Sequence, residues 1–145
     1  MVHIIEKSSV SCKKKESLNE DGIFISDKYI AVIDGATGKS GDIYQSKTGG
    51  QIIRDIIIES LNELSGDEEC FEAVVKIQNS IVNQFPAERF FHAAASAVIY
   101  NISLRQIWFV GDCKALVNGV CYCEEKIIDD ILSHARAMVI NALLV

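Results

Sequence analysis

Two acidic clusters carry the chemistry legible in this chain: Asn19-Glu20-Asp21, and Asp34 followed by Gly35. Gly22 to Ser26 and Tyr29 to Ile33 between them read as two strands, with Asp27-Lys28 at the turn. A hairpin returns its two ends to one place, so Glu20 and Asp21 are expected close to Asp34. Converging carboxylates repel one another and lose hydration unless something positive sits between them. The natural occupant is a hard, oxygen-preferring divalent cation, Mg²⁺ or Mn²⁺.

Each cluster also has a plainer reading. Asp-Gly is a common strand-ending turn, Asn19-Glu20-Asp21 suits a solvated loop, and Gly111-Asp112 is turn chemistry too. Gly35-Ala36-Thr37-Gly38-Lys39-Ser40 has the Gly-Lys-Ser ending of a phosphate-binding loop. That motif needs a glycine five positions before Gly38, where Ile33 stands, and the chain lacks βαβ alternation.

The elements that must position these residues follow in order. Val2 to Val10 reads as an opening strand, and Lys13 to Ser17 as a polar loop. After the hairpin comes a glycine-rich loop from Gly35 to Gly41. Ile52, Ile53, Ile56, Ile57, Leu61 and Leu64 fall at helical spacing within Tyr44 to Leu64, and Ser65-Gly66-Asp67 closes that helix. A second helix is expected from about Glu68 to Asn83, with Phe71, Val74, Val75, Gln78, Ile81 and Val82 on one side and Pro86 as its stop. Ala94 to Asn101 and Gln106 to Asp112 read as strands. Lys114 to Val117 and Val120 to Cys123 turn at Asn118-Gly119, a strong hairpin signal. From Glu125 onward the spacing is helical again, and the helix stops uncapped at Val145, which reads as a cut. Segregated strands and helices make the class α+β.

The ordered motifs resemble the N-terminal part of the metal-dependent serine/threonine protein phosphatases of type 2C (PPM). The match runs through Asn19-Glu20-Asp21, then Asp34-Gly35 with Gly38, then Ser96-Ala97-Val98 followed by Val110-Gly111-Asp112-Cys113-Lys114-Ala115. The resemblance implies a sandwich of two antiparallel sheets flanked by helices, incomplete at the C-terminus. It implies that Asp34 bridges two metal ions and that the Gly35 carbonyl binds one of them. Glu20 would bind the second, directly or through water, Asp21 would hold metal-bound water, and Asp112 would help form a third, weaker site. The family's nucleophile is a metal-bridging water, not a side chain. Three departures stand out. Ala36 occupies the place where the family often has histidine. Glu16 stands near its phosphate-holding arginine, with Lys13 to Lys15 as possible substitutes. The chain also ends before two further metal-binding aspartates.

Bulk properties narrow the choice further. At 145 residues and 49% hydrophobic, the chain reads as one domain with a real core. No apolar run approaches the ~20 residues that span a bilayer, and no secretory leader is evident. Five cysteines without such a leader read as reduced thiols, buried as small hydrophobes, in a cytoplasmic protein. Cys113, Cys121 and Cys123 lack zinc-site spacing, His3, His92 and His134 belong to no constellation, and Trp108 reads as core. A net charge of −6 argues against nucleic acid as partner.

Two functions remain open. One is hydrolysis of phosphoserine and phosphothreonine in protein substrates, dependent on Mg²⁺ or Mn²⁺. The other is a catalytically incomplete phosphatase-like module that binds or regulates. Half a sandwich would leave apolar surface uncovered, so the isolated chain is expected to self-associate.

Overall fold

The computed structural model describes residues 2–10, 18–38, 43–44, 46–85 and 93–123. The Lys13 to Ser17 loop, the Pro86 stop, His92, His134 and the helix expected after Glu125 lie outside the described residues. Strands β1 (Gly22–Ile25) and β2 (Tyr29–Thr37) form the expected hairpin, which opens the four-stranded antiparallel sheet β1-β2-β5-β6. Strand β5 is Ala93–Asn101 and β6 is Gln106–Val110. Beside this sheet lie two ribbons: β3 (Ile43–Tyr44) with β4 (Lys47–Thr48), and β7 (Lys114–Val117) with β8 (Val120–Cys123). The α+β class holds, and the described residues contribute this one larger sheet of the expected sandwich.

Helices α1 (Gly49–Glu63) and α2 (Cys70–Gln84) cover one face of the sheet. Helix α1 starts later than its apolar spacing suggested, because Thr48 caps it: Thr48 Oγ1 accepts from Gln51 N, and Gln51 Oε1 accepts from Thr48 N. Its Ile53, Ile56, Ile57 and Leu61 meet Tyr29, Ala31 and Ile33 of β2, Ala97 and Ile99 of β5, and Trp108 of β6. The rings of Tyr29 and Trp108 lie 5.7 Å apart and tilted by 53°, a favourable aromatic packing. Helix α2 is turned from the expected face. Its buried centre is Ala73 and Ile77, while Phe71 is 80% exposed. Ile81 of the expected stripe still packs against the core.

Glu68, in the turn between the helices, ties the layers together. Its buried carboxylate accepts from Tyr29 Oη (3.1 Å), Lys76 Nζ (2.9 Å), Ser65 N (3.1 Å) and Gly66 N (3.0 Å). Burial alone would raise its pKa, but these hydrogen bonds more than reverse that and hold it far below the usual carboxylate range. Asn101, fully buried, donates to Gly66 O and accepts from Leu104 N, fixing the β5–β6 turn against the same loop.

Three local expectations are corrected. Val2 to Val10 forms no regular element and enters no ladder among the described residues, and Ile5 is 94% exposed. A run of mixed apolar and polar residues makes a strand only where a neighbouring strand and a surface receive it. Strand β2 does not end at Asp34; it continues to Thr37, because Ala93, Ala94 and Ala95 of β5 extend the ladder alongside it. Cys121 and Cys123 are exposed on β8 rather than buried. No helix among the described residues is long and apolar enough to cross a membrane.

Candidate functional site

Register builds the acidic end of the sheet. Gly22 pairs with Ile33 at the end of the β1–β2 ladder, so continuing the register places Asp21 opposite Asp34 after one step and Glu20 opposite Gly35 after two. The Asp21 carboxylate is near enough to act on that of Asp34, both by its charge and as an acceptor for its protonated form. On its other side Asp34 pairs with Ser96 of β5, whose Oγ donates to Asp112 Oδ1 at 2.6 Å. A side chain at Gly111 would run into the Ser96 hydroxyl, so the glycine before Asp112 keeps that hydrogen bond open. Three carboxylates from three separate segments are thus linked across one end of the sheet.

Asp34 stands on the sheet face away from the helices. Partial desolvation, then the charges of Asp21 and Asp112, a hydrogen bond that its protonated form donates to Asp21, and the charge of Glu20 push its pKa above the ordinary value. Ala36 shares that face, two residues along, and offers no proton.

Glu20 is placed differently. It is buried, and its Oε1 accepts from the Thr37 hydroxyl and from Thr48 Oγ1 (2.6 Å). Thr37 Oγ1 in turn accepts from Gly50 N at 2.9 Å. The carboxylate therefore sits at the N-terminus of α1, where unsatisfied N–H groups and the helix dipole favour negative charge. The price in space falls on Gly35. A Cβ there would lie 2.5 Å from Gly50 O and 2.7 Å from Glu20 O.

The chemistry of the donor set fits a hard divalent cation. Mg²⁺ and Mn²⁺ prefer oxygen, and Mg²⁺ is commonly held by one or two carboxylates with water completing its shell. Asp21 and Asp34 are such a pair. Among the described residues no three acidic, histidine or cysteine side chains converge tightly enough to hold an ion unaided. The sequence reading named Glu20, Asp21, Asp34, Gly35 and Asp112, and all five lie at this end of the sheet. It gave no role to Thr37, Thr48, Gln51 and Arg54, which hold them, and it quoted Ser96 only as part of a motif. The Thr48-x-x-Gln51 capping box is a sequence signal that could have found two of them.

No protein-family model matches the sequence, and no curated protein matches it significantly. Among solved structures, the fold matches the crystal structure of the catalytic domain of the serine/threonine protein phosphatase PstP in complex with two manganese ions. The TM-score is 0.52 at 17% identity, over 90% of this chain and 58% of that one. The Mycobacterium tuberculosis serine/threonine phosphatase PstP/Ppp gives a TM-score of 0.48 at 15% identity, over 90% of this chain and 57% of that one. The chain thus spans 58% of the length of the first of these structures and, over most of its own length, shares the fold of that phosphatase catalytic domain.

Proposed function

We propose that this chain is a phosphatase-like module whose acidic end binds Mn²⁺ or Mg²⁺ and serves hydrolysis of phosphoserine and phosphothreonine in protein substrates. The observation that carries the reading is the contact between Asp21 and Asp34, with Asp112 linked through Ser96, in a fold whose neighbour was solved with two manganese ions. Divalent cations at such a site supply Lewis acidity toward water and neutralise charge on the phosphoryl group. Asp34 is the central ligand in this proposal, with the Gly35 carbonyl beside it. Asp21 would hold the ion's hydration water, and Asp112 would contribute a weaker peripheral site. Glu20 would reach the ion directly or through water, while its Oε1 keeps α1 seated on the sheet. The net charge of −6 disfavours nucleic acid as partner.

A second reading is a binding or regulatory module without turnover. Ala36 on the open face and the absence of a three-ligand cluster among the described residues favour it. Calorimetric titration of the chain with Mn²⁺, beside Asp34→Asn, followed by phosphopeptide hydrolysis, separates the two. Saturable binding lost in the variant, together with turnover, supports the enzyme. Binding without turnover supports the module. No binding in either protein removes the metal reading altogether.

A further inference from the structure

The segment carrying Glu20 and Asp21 precedes the first residue of β1, Gly22, and its outward carbonyls are gripped from α1. Arg54 Nη1 donates to Asn19 O at 2.9 Å and to Asp21 O at 3.3 Å, and Gln51 Nε2 donates to Asn19 O at 3.1 Å. Three residues apart on α1, Gln51 and Arg54 project from the same side of the helix. Arg54 reaches the segment across Gly22, where an added Cβ would lie 2.7 Å and 2.8 Å from the arginine's Cγ and Cδ. The rest of the guanidinium is fixed by Asp55, whose Oδ1 accepts from Nε at 2.8 Å and Nη2 at 2.6 Å. Asp55 Oδ2 is itself held by Lys47 at 2.7 Å. The Arg54 side chain is only 19% exposed.

We infer that Arg54 is a positioning residue for the acidic end of the sheet. By clamping the carbonyls on either side of Glu20, it sets where the Asp21 carboxylate stands relative to Asp34. The consequence for metal binding rests on the reading under Proposed function; the clamp itself does not. The role needs an arginine. One planar fork serves Asp55 with one edge and the segment with its remaining nitrogen, whereas lysine offers a single point of charge. Arg54→Lys therefore keeps the charge and loses the clamp. Gly22→Ala leaves Arg54 intact and displaces its stem, so the two substitutions attack one contact from opposite sides.

The test uses the full chain with both variants, each shown to be folded by its melting transition. Amide hydrogen exchange is measured without metal, and Mn²⁺ affinity by calorimetry. We expect faster exchange confined to residues 19–23 in both variants, and Mn²⁺ affinity lower by about tenfold or more, the usual loss when a group supporting a ligand is removed. Wild-type exchange at residues 19–23 in both variants overturns the clamp. Faster exchange with unchanged Mn²⁺ affinity overturns the positioning role. If the wild-type chain binds no Mn²⁺, the metal reading fails, and faster exchange at residues 19–23 still upholds Arg54 as the residue that orders the segment.

Discussion

Gly35→Ala tests the architecture of the acidic end at its tightest point. The added Cβ would stand 2.5 Å from Gly50 O, 2.7 Å from Glu20 O and 3.0 Å from Gly50 C. All three are main-chain atoms, so no rotamer change relieves the contact. Comfortable carbon contacts begin near ~3.5 Å, so β2 and the first turn of α1 must separate by about 1 Å. Overpacking of this kind costs about 1–3 kcal/mol. Alanine's smaller loss of backbone entropy relative to glycine returns roughly 0.5–1 kcal/mol. Unseating the Glu20 carboxylate from the Thr37 and Thr48 hydroxyls adds to the cost, so the net loss is about 2 kcal/mol. At roughly 2–4 °C per kcal/mol for a domain of this size, Tm falls by about 4–8 °C. Urea unfolding with an unchanged slope, beside calorimetric melting, measures it. A Tm within about 1 °C of wild type would refute the reasoning, since α1 could not then be seated against this strand as described.

Three further outcomes are expected. Glu68→Ala strips partners from Tyr29, Lys76 and two backbone N–H groups and costs about 3 kcal/mol in urea unfolding. Glu68's folded pKa is depressed, so wild-type stability is present above the unfolded value of 4.5 and is lost as pH falls below it, and the variant shows a shallower acid limb. Asp34→Asn acts with the opposite sign. The folded pKa of Asp34 is raised, so its contribution is full below the unfolded value of 3.8 and is lost as pH rises through the folded value. In EDTA at neutral pH the variant should therefore melt higher than wild type, with the gap closing at acid pH; a lower neutral Tm contradicts the carboxylate repulsion. The open sheet face presents Ile30, Val32, Val98 and Tyr100, with Val32 55% exposed, and the isolated chain should self-associate at tens of micromolar. A strictly monomeric species in sedimentation velocity counts against this.

The hairpins were legible because their signals are local. Asn118-Gly119 turns β7 into β8 with φ of 51° and 82°, the left-handed pair that a tight two-residue hairpin demands. Tyr29 to Ile33 read as a strand, but it is apolar throughout, so only the structure shows that Tyr29, Ala31 and Ile33 form its buried face. Val2 to Val10 misled because a mix of apolar and polar positions records only a capacity to pair. Cys121 and Cys123 misled for a related reason: their burial depends on what covers β8, not on the residue type. The buried centre of α2 includes Ala73, a residue too small to dominate an apolar stripe.

The candidate site divides along the same line. Sequence alone determined the donor chemistry, the hairpin that brings Asp21 toward Asp34, and the order of motifs that resembles type 2C phosphatases. Those rest on residue types, turns and short spacings, which act within a few residues of chain. Only the tertiary structure decided that Glu20 turns into the N-terminus of α1, that Ser96 carries Asp34 across to Asp112, and that Arg54 clamps the acidic segment. Each of these depends on contacts between residues 16 to 35 positions apart in sequence. Such contacts arise where helix and sheet pack, and no local pattern encodes their partners.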